Sequence, residues 1–78
     1  MVEALKIRAI YNDFLTKVHL TNEQVKILDM MINKEKIIKI SMEIGMSPRT
    51  VNNEIRKIKN LYENYKQLEI AKLKMLDK

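Results

Sequence analysis

Residues 37–59 read I-I-K-I-S-M-E-I-G-M-S-P-R-T-V-N-N-E-I-R-K-I-K, and their spacing predicts a helix, a tight turn and a second helix. Ile37, Ile40, Ser41 and Ile44 recur at intervals of 3, 1 and 3, which places them on one helical face. Gly45 comes next, and glycine takes the left-handed conformation of a helix C-cap without strain. Ser47 is suited to cap the following helix, its hydroxyl accepting from an amide one turn on. Pro48 then fills the first helical position, where its missing N–H costs nothing. The second helix turns Val51, Ile55 and Ile58 inward and Arg49, Asn52, Asn53 and Arg56 outward.

Two short helices joined by a glycine-containing turn form the helix-turn-helix, a motif that lays its second helix in the major groove of DNA. Many helical hairpins bind nothing, so the outward residues matter. Arginine donates bidentately to guanine O6 and N7, and asparagine pairs with adenine N6 and N7. Arg49, Asn52, Asn53 and Arg56 are therefore the side-chain types that direct base readout uses. The plain alternative is a solvated polar face.

At 78 residues the chain makes one domain at most, near the lower limit for a core that folds unaided. There is no cysteine, which excludes disulfides and thiolate metal sites. A single histidine, His19, excludes a His-rich zinc site, so no metal is expected. A composition 46% hydrophobic and 32% charged is that of a globular chain. One Gly and one Pro leave little punctuation for hairpins, and the predicted fold class is all-α. Fifteen Lys and Arg against ten Asp and Glu give a net charge of +5. That balance suits a nucleic-acid binder, and a basic membrane-surface peptide would share it. No apolar run is long enough to span a bilayer, and the first residues lack the apolar stretch of a signal peptide. The expected location is cytoplasmic.

Taken in order, residues 1–18 predict one N-terminal helix with an apolar band of Leu5, Ile7, Ala9, Ile10, Phe14, Leu15 and Val18. Thr21-Asn22-Glu23-Gln24 fits a capping box, with Thr21 at the N-cap and Gln24 at the third helical position. The helix it opens is expected to bury Val25, Ile27 or Leu28, Met31 and Ile32 and to end at Asn33-Lys34, Asn tolerating the left-handed turn. Met30, Met31, Met42 and Met46 read as core fillers. Recognition helix 48–59 either stops near Asn60 and restarts, or runs on to about Leu76 with a length of about 45 Å. Residues 60–77 are helical in both cases. Val51, Ile58, Tyr65 and Lys72 at position a, with Leu61, Leu68 and Met75 at position d, form a short heptad seam, Ile58 shared with the core, and Leu61, Tyr65, Leu68 and Met75 are expected to mediate dimerisation. The alternative is a last helix folded back on its own domain.

Catalytic constellations are lacking. The sequence has no Gly-rich phosphate loop, no H-E-x-x-H, and no Cys or Ser nucleophile with a suitable base. The acids lie among lysines as exposed partners. No enzyme activity, cofactor or small-molecule ligand is expected. His19 in its connector reads as solvated rather than as a pH sensor, and Tyr62 and Tyr65 as packing residues rather than base-stacking ones.

From Leu20 onward the chain resembles the LuxR/GerE-type helix-turn-helix domain of bacterial transcription regulators. Leu20-Thr21, Ile27-Leu28, Met30-Met31, Ile40-Ser41, Ile44, Met46-Ser47 and Thr50-Val51 fall in the places of its pattern without a gap, over roughly residues 20–62. Gln24 stands where the family usually has Glu, and Glu54 where His is common. The glycines after the first and third helices are absent. Gly45 before Met46-Ser47 is closer to the promoter-reading C-terminal domain of sigma factors, which shares the topology. The N-terminal helix belongs to neither pattern.

The resemblance implies a small helix-turn-helix domain of four to five helices, here with an extra N-terminal helix, a tri-helical core over residues 20–59 and a long C-terminal helix. It implies base contacts from Asn52, Asn53 and Arg56 with Arg49 at the leading edge. Phosphate contacts are expected from Ser47 and Thr50 at the helix N-terminus and from Lys36, Lys39, Lys57 or Lys59. The expected function is sequence-specific binding of double-stranded DNA by a transcription regulator, as a homodimer and with a contact to RNA polymerase. The chain's small size suits a phage or mobile element. The alternatives are a helical adaptor for RNA polymerase or a sigma factor, and a DNA-packaging protein like a phage terminase small subunit.

Overall fold

The computed structural model describes the backbone of residues 1–76 and the side chains of residues 1–72. Five helices follow one another: α1 (Val2–Leu5), α2 (Arg8–Lys17), α3 (Asn22–Ile32), α4 (Ile37–Ile44) and α5 (Pro48–Leu76). There is no strand among the described residues. No helix among them is long and apolar enough to cross a membrane.

The turn between α4 and α5 forms as its residue types dictate. Gly45 sits at φ +78° and ψ +30°, and the amides of Gly45 and Met46 both donate to the Ser41 carbonyl, at 2.9 and 3.1 Å. Nothing lies within 4 Å of where a Cβ on Gly45 would stand. Gly45→Ala is therefore expected to cost about 1–2 kcal/mol from backbone strain alone, read as a lowered urea midpoint with an unchanged slope. Ser47 caps α5, its Oγ accepting from the Thr50 amide at 3.2 Å.

The capping box on α3 is complete: Thr21 Oγ1 accepts from the Gln24 amide, and Gln24 Oε1 accepts from the Thr21 amide. Its other end differs from expectation. Asn33 keeps φ −80°, and Lys34 takes the left-handed conformation at φ +63°. The Lys34 amide donates to Met31 O and the Glu35 amide to Met30 O, each at 2.9 Å. This pair of bonds is the Schellman closure, which makes the residue after the cap turn left-handed whatever its side chain.

The N-terminal segment is two helices rather than the single one predicted over residues 1–18. The break falls at Ile7, which is extended at φ −78° and ψ 114°, although no Gly or Pro marks it. Packing supplies the reason. With Phe14 in the core, a straight helix would turn Ile7 inward and Leu5 outward; the bend reverses this, carrying Leu5 into the core at 2% exposure and leaving Ile7 56% exposed.

Phe14, Ile27, Leu28, Ile40, Val51 and Ile58 are fully buried, one or two from each of α2 to α5. Met30, Met31 and Met46 pack against this core from partly buried positions. Met42 does not: it is 79% exposed, on the side of α4 away from Ile40 and Ser41.

The helix predicted over residues 48–59 and the C-terminal helix are one. α5 runs through Asn60 without interruption, because Tyr62 and Tyr65, just beyond it, are anchored on α2. The Phe14 ring meets Tyr62 edge-on at 5.6 Å and Tyr65 at 5.3 Å, geometries that aromatic quadrupoles favour. Tyr65, expected on an intermolecular seam, is thus part of the chain's own core. Leu61 is half-buried and Leu68 is 64% exposed. The Met75 side chain lies outside the described residues.

A polar clamp secures the same contact. Tyr65 Oη donates to Asp13 Oδ2 at 2.5 Å, and Lys17 Nζ bridges Asp13 at 3.3 Å and Glu69 at 2.6 Å. The Tyr65 hydroxyl holds the Asp13 carboxyl below its usual range against the opposing effect of burial, and the Lys17 ammonium adds to the lowering. The same bond, with burial and nearby carboxylates, pushes Tyr65 up to about 12. A carboxylate lowered in the folded state contributes stability that is present above the unfolded pKa, near 4, and lost as pH falls through the lower folded value. A phenol raised from 10 to about 12 contributes stability that is present below pH 10 and lost on rising through 12. Asp13→Asn is expected to flatten the acid limb of a Tm-against-pH profile below pH 4. Tyr65→Phe is expected to flatten the alkaline limb above pH 10.

Candidate nucleic-acid interface

The amino-terminal half of α5 presents Arg49, Asn52, Asn53 and Arg56, and all four are exposed. At 100° per residue they fall within about 100° of one another and span about 10 Å of helix axis. Val51 and Ile58 are fully buried on the opposite side of the helix, which fixes the rotation of α5 and hence the direction of the polar face. Asn52, Ile55, Arg56 and Lys59 surround a shallow hollow of about 330 Å³. None of the described acids is ion-paired to Arg49 or Arg56 within 4 Å, so both guanidinium forks are free of a carboxylate.

The residues expected to contact phosphate fall into three groups. Ser47 and Thr50 are exposed at the start of α5, where the amino-terminal end of the helix dipole favours an anion. Their hydroxyls bond to each other at 2.9 Å, which leaves one hydroxyl hydrogen of the two unused. Lys39 and Lys57 are exposed but already ion-paired, with Glu35 at 3.1 Å and Glu54 at 3.3 Å. Exposed partners of this kind exchange readily, since such pairs are worth well under about 1 kcal/mol. Lys36 and Lys59 are exposed with no acid within ion-pair distance among the described residues.

The polar brace on this helix was not legible in the sequence. Gln24 Nε2 donates to Glu54 Oε2 at 3.0 Å, tying the start of α3 to the middle of the amino-terminal half of α5. Gln24 therefore serves two contacts, its amide oxygen in the capping box and its amide nitrogen on Glu54. Both are positions at which the sequence departs from the LuxR/GerE pattern, and they touch each other. Their joint departure was the available signal.

On the other flank, Leu61 and Leu68 of α5 face the end of α2 and the His19 connector across an open groove of about 520 Å³. His19 is exposed there, as expected. The described residues hold no group of three or more His, Cys, Asp or Glu placed to bind a metal ion.

Comparison with known proteins yields no relative: no family model, no curated protein and no solved structure matches the chain.

Proposed function

We infer that the protein binds double-stranded DNA sequence-specifically, laying the amino-terminal half of α5 in the major groove, and that it acts as a transcription regulator akin to LuxR/GerE-type or sigma-factor C-terminal domains. One observation carries the reading. Four side chains of the base-reading type stand exposed on a single face of the second helix of a helix-turn-helix, with the opposite face fully buried. The net charge of +5 supplies the general attraction to phosphate on which such readout depends. Arg49, Asn52, Asn53 and Arg56 read base edges; Ser47, Thr50, Lys36 and Lys59, assisted by Lys39 and Lys57, hold the backbone.

The test is binding to duplex DNA across a range of salt. Affinity should fall by about 0.9 log units per log unit of salt for each phosphate contacted. Lys59→Ala is expected to weaken all duplexes alike and to reduce that slope by about one. A slope near zero would contradict the reading. It would favour the helical-adaptor alternative, for which Ile38 and Met42, exposed at 67% and 79% one turn apart on α4, offer an apolar contact.

A further inference from the structure

α5 is longer than the domain it belongs to. Its 29 residues extend about 43 Å at 1.5 Å per residue, and the molecule measures 49 × 20 × 17 Å. Among the described side chains, the last ties of α5 to the rest of the chain are Tyr65 on Phe14 and Asp13 and Glu69 on Lys17. The backbone of α5 continues beyond them to Leu76, and a helical end without partners is marginal in water.

The three sides of α5 do different things. At 100° per residue, Val51, Ile58, Tyr62 and Tyr65 form the core side; Arg49, Asn53 and Arg56 lie about 150° or more from its middle, and Asn52 about 110°. Leu61 and Leu68, seven residues apart, form a third stripe about 120° from the arginines. Leu68 is 64% exposed, and this stripe makes one wall of the groove whose other wall is Val18 and His19. The rim is nearly neutral: Glu69 holds Lys17 at 2.6 Å and approaches Lys72 at 3.8 Å. On a chain of net charge +5, a balanced rim around an apolar floor is a poor seat for DNA or for a strongly acidic peptide.

We propose that this groove is the interface with a second copy of the chain, the two α5 helices crossing antiparallel about a two-fold axis near Leu68. Charge decides the direction. In a parallel pair every residue faces its own copy, so Glu69 would oppose Glu69 and Lys72 would oppose Lys72. In the antiparallel register centred on Leu68, Leu68 meets Leu68, Tyr65 lies opposite Ala71, Asn64 opposite Lys72, Lys66 opposite Ile70 and Gln67 opposite Glu69. No like charges meet across it. A two-fold pairing of this kind is isologous: each copy offers the stripe and receives the other's. The contact is small, at the low end of specific interfaces. It leaves the base-reading face of both copies uncovered and does not require DNA.

The experiment is sedimentation velocity on the full chain without DNA, from low micromolar to near-millimolar concentration, with helicity followed by circular dichroism. The wild type should pass from monomer to dimer. Leu68→Asp should weaken dimerisation at least about tenfold, because it would bury a charge without a partner. Ile38→Asp, an equally exposed site on α4, should leave it unchanged. Since the chain has no cysteine, a mixture of Asn64→Cys and Lys72→Cys chains tests the register even where an aspartate lowers helicity. Antiparallel pairing predicts the mixed 64–72 disulfide. A monomer at every concentration, a larger ring, equal loss with Ile38→Asp, or only 64–64 and 72–72 disulfides would each overturn the proposal.

Discussion

Phe14→Ala is expected to lower the free energy of unfolding by about 3–5 kcal/mol, the range for deleting a buried aromatic ring. Small domains have only about 5–15 kcal/mol in total, so this one change removes much of the margin. At about 4–8 °C per kcal/mol for a domain of this size, Tm falls by at least roughly 12 °C. The effect is large because Phe14 is fully buried and is the surface on which both Tyr62 and Tyr65 rest. Its loss weakens the attachment of α5 to α2 as well as the core itself. Ile7→Ala is the natural comparison, since the sequence ranks both residues in one apolar band. At 56% exposure Ile7 should change stability by no more than about 0.5 kcal/mol. Chemical denaturation of the two variants side by side checks the account, and equal losses would mean that the N-terminal helices do not pack as described.

Arg56→Ala is expected to weaken binding to the preferred duplex by about 1–3 kcal/mol, roughly 5- to 150-fold, and to relax the preference at one base pair. Its guanidinium is exposed, free of a carboxylate partner among the described residues, and beside Asn52 and Lys59 at the edge of the shallow hollow. Removing it disturbs nothing buried, so stability should be unchanged and the loss should appear in binding alone. On random duplex the loss should be small, limited to one phosphate-level attraction. Parallel titrations of preferred and random duplex measure the difference. Equal loss on both would reduce Arg56 to a general phosphate contact.

The helical core was legible because each of its signals acts locally. Gly45, Ser47 and Pro48 punctuate the motif by their own backbone chemistry, and Thr21 with Gln24 caps α3 through residues three apart. What escaped reading depends on partners distant in the chain. The break at Ile7 has no local breaker and follows from where Leu5 must go. The continuity of α5 through Asn60 follows from aromatic contacts with Phe14, nearly fifty residues earlier. Met42 has helical spacing suited to a core, yet it stands on the wrong side of α4, a matter of rotation that composition does not set. Tyr65 shows the same limit from the other direction. A heptad position identifies a residue that will be covered, and it does not say by which chain.

The candidate site divides in the same way. Arg49, Asn52, Asn53 and Arg56 share a face by helical periodicity alone, and the buried Val51 and Ile58 behind them fix where that face points. Gln24 and Glu54, which brace the helix from thirty residues apart, were visible only as two unrelated departures from a pattern.

The most direct test of DNA reading is a fluorescence-anisotropy titration of the wild-type chain against random and genomic double-stranded DNA at two salt concentrations. Binding should weaken steeply with salt, with particular genomic fragments held more tightly than random sequence. Absence of binding at low salt, or identical affinity for every fragment, would contradict DNA reading.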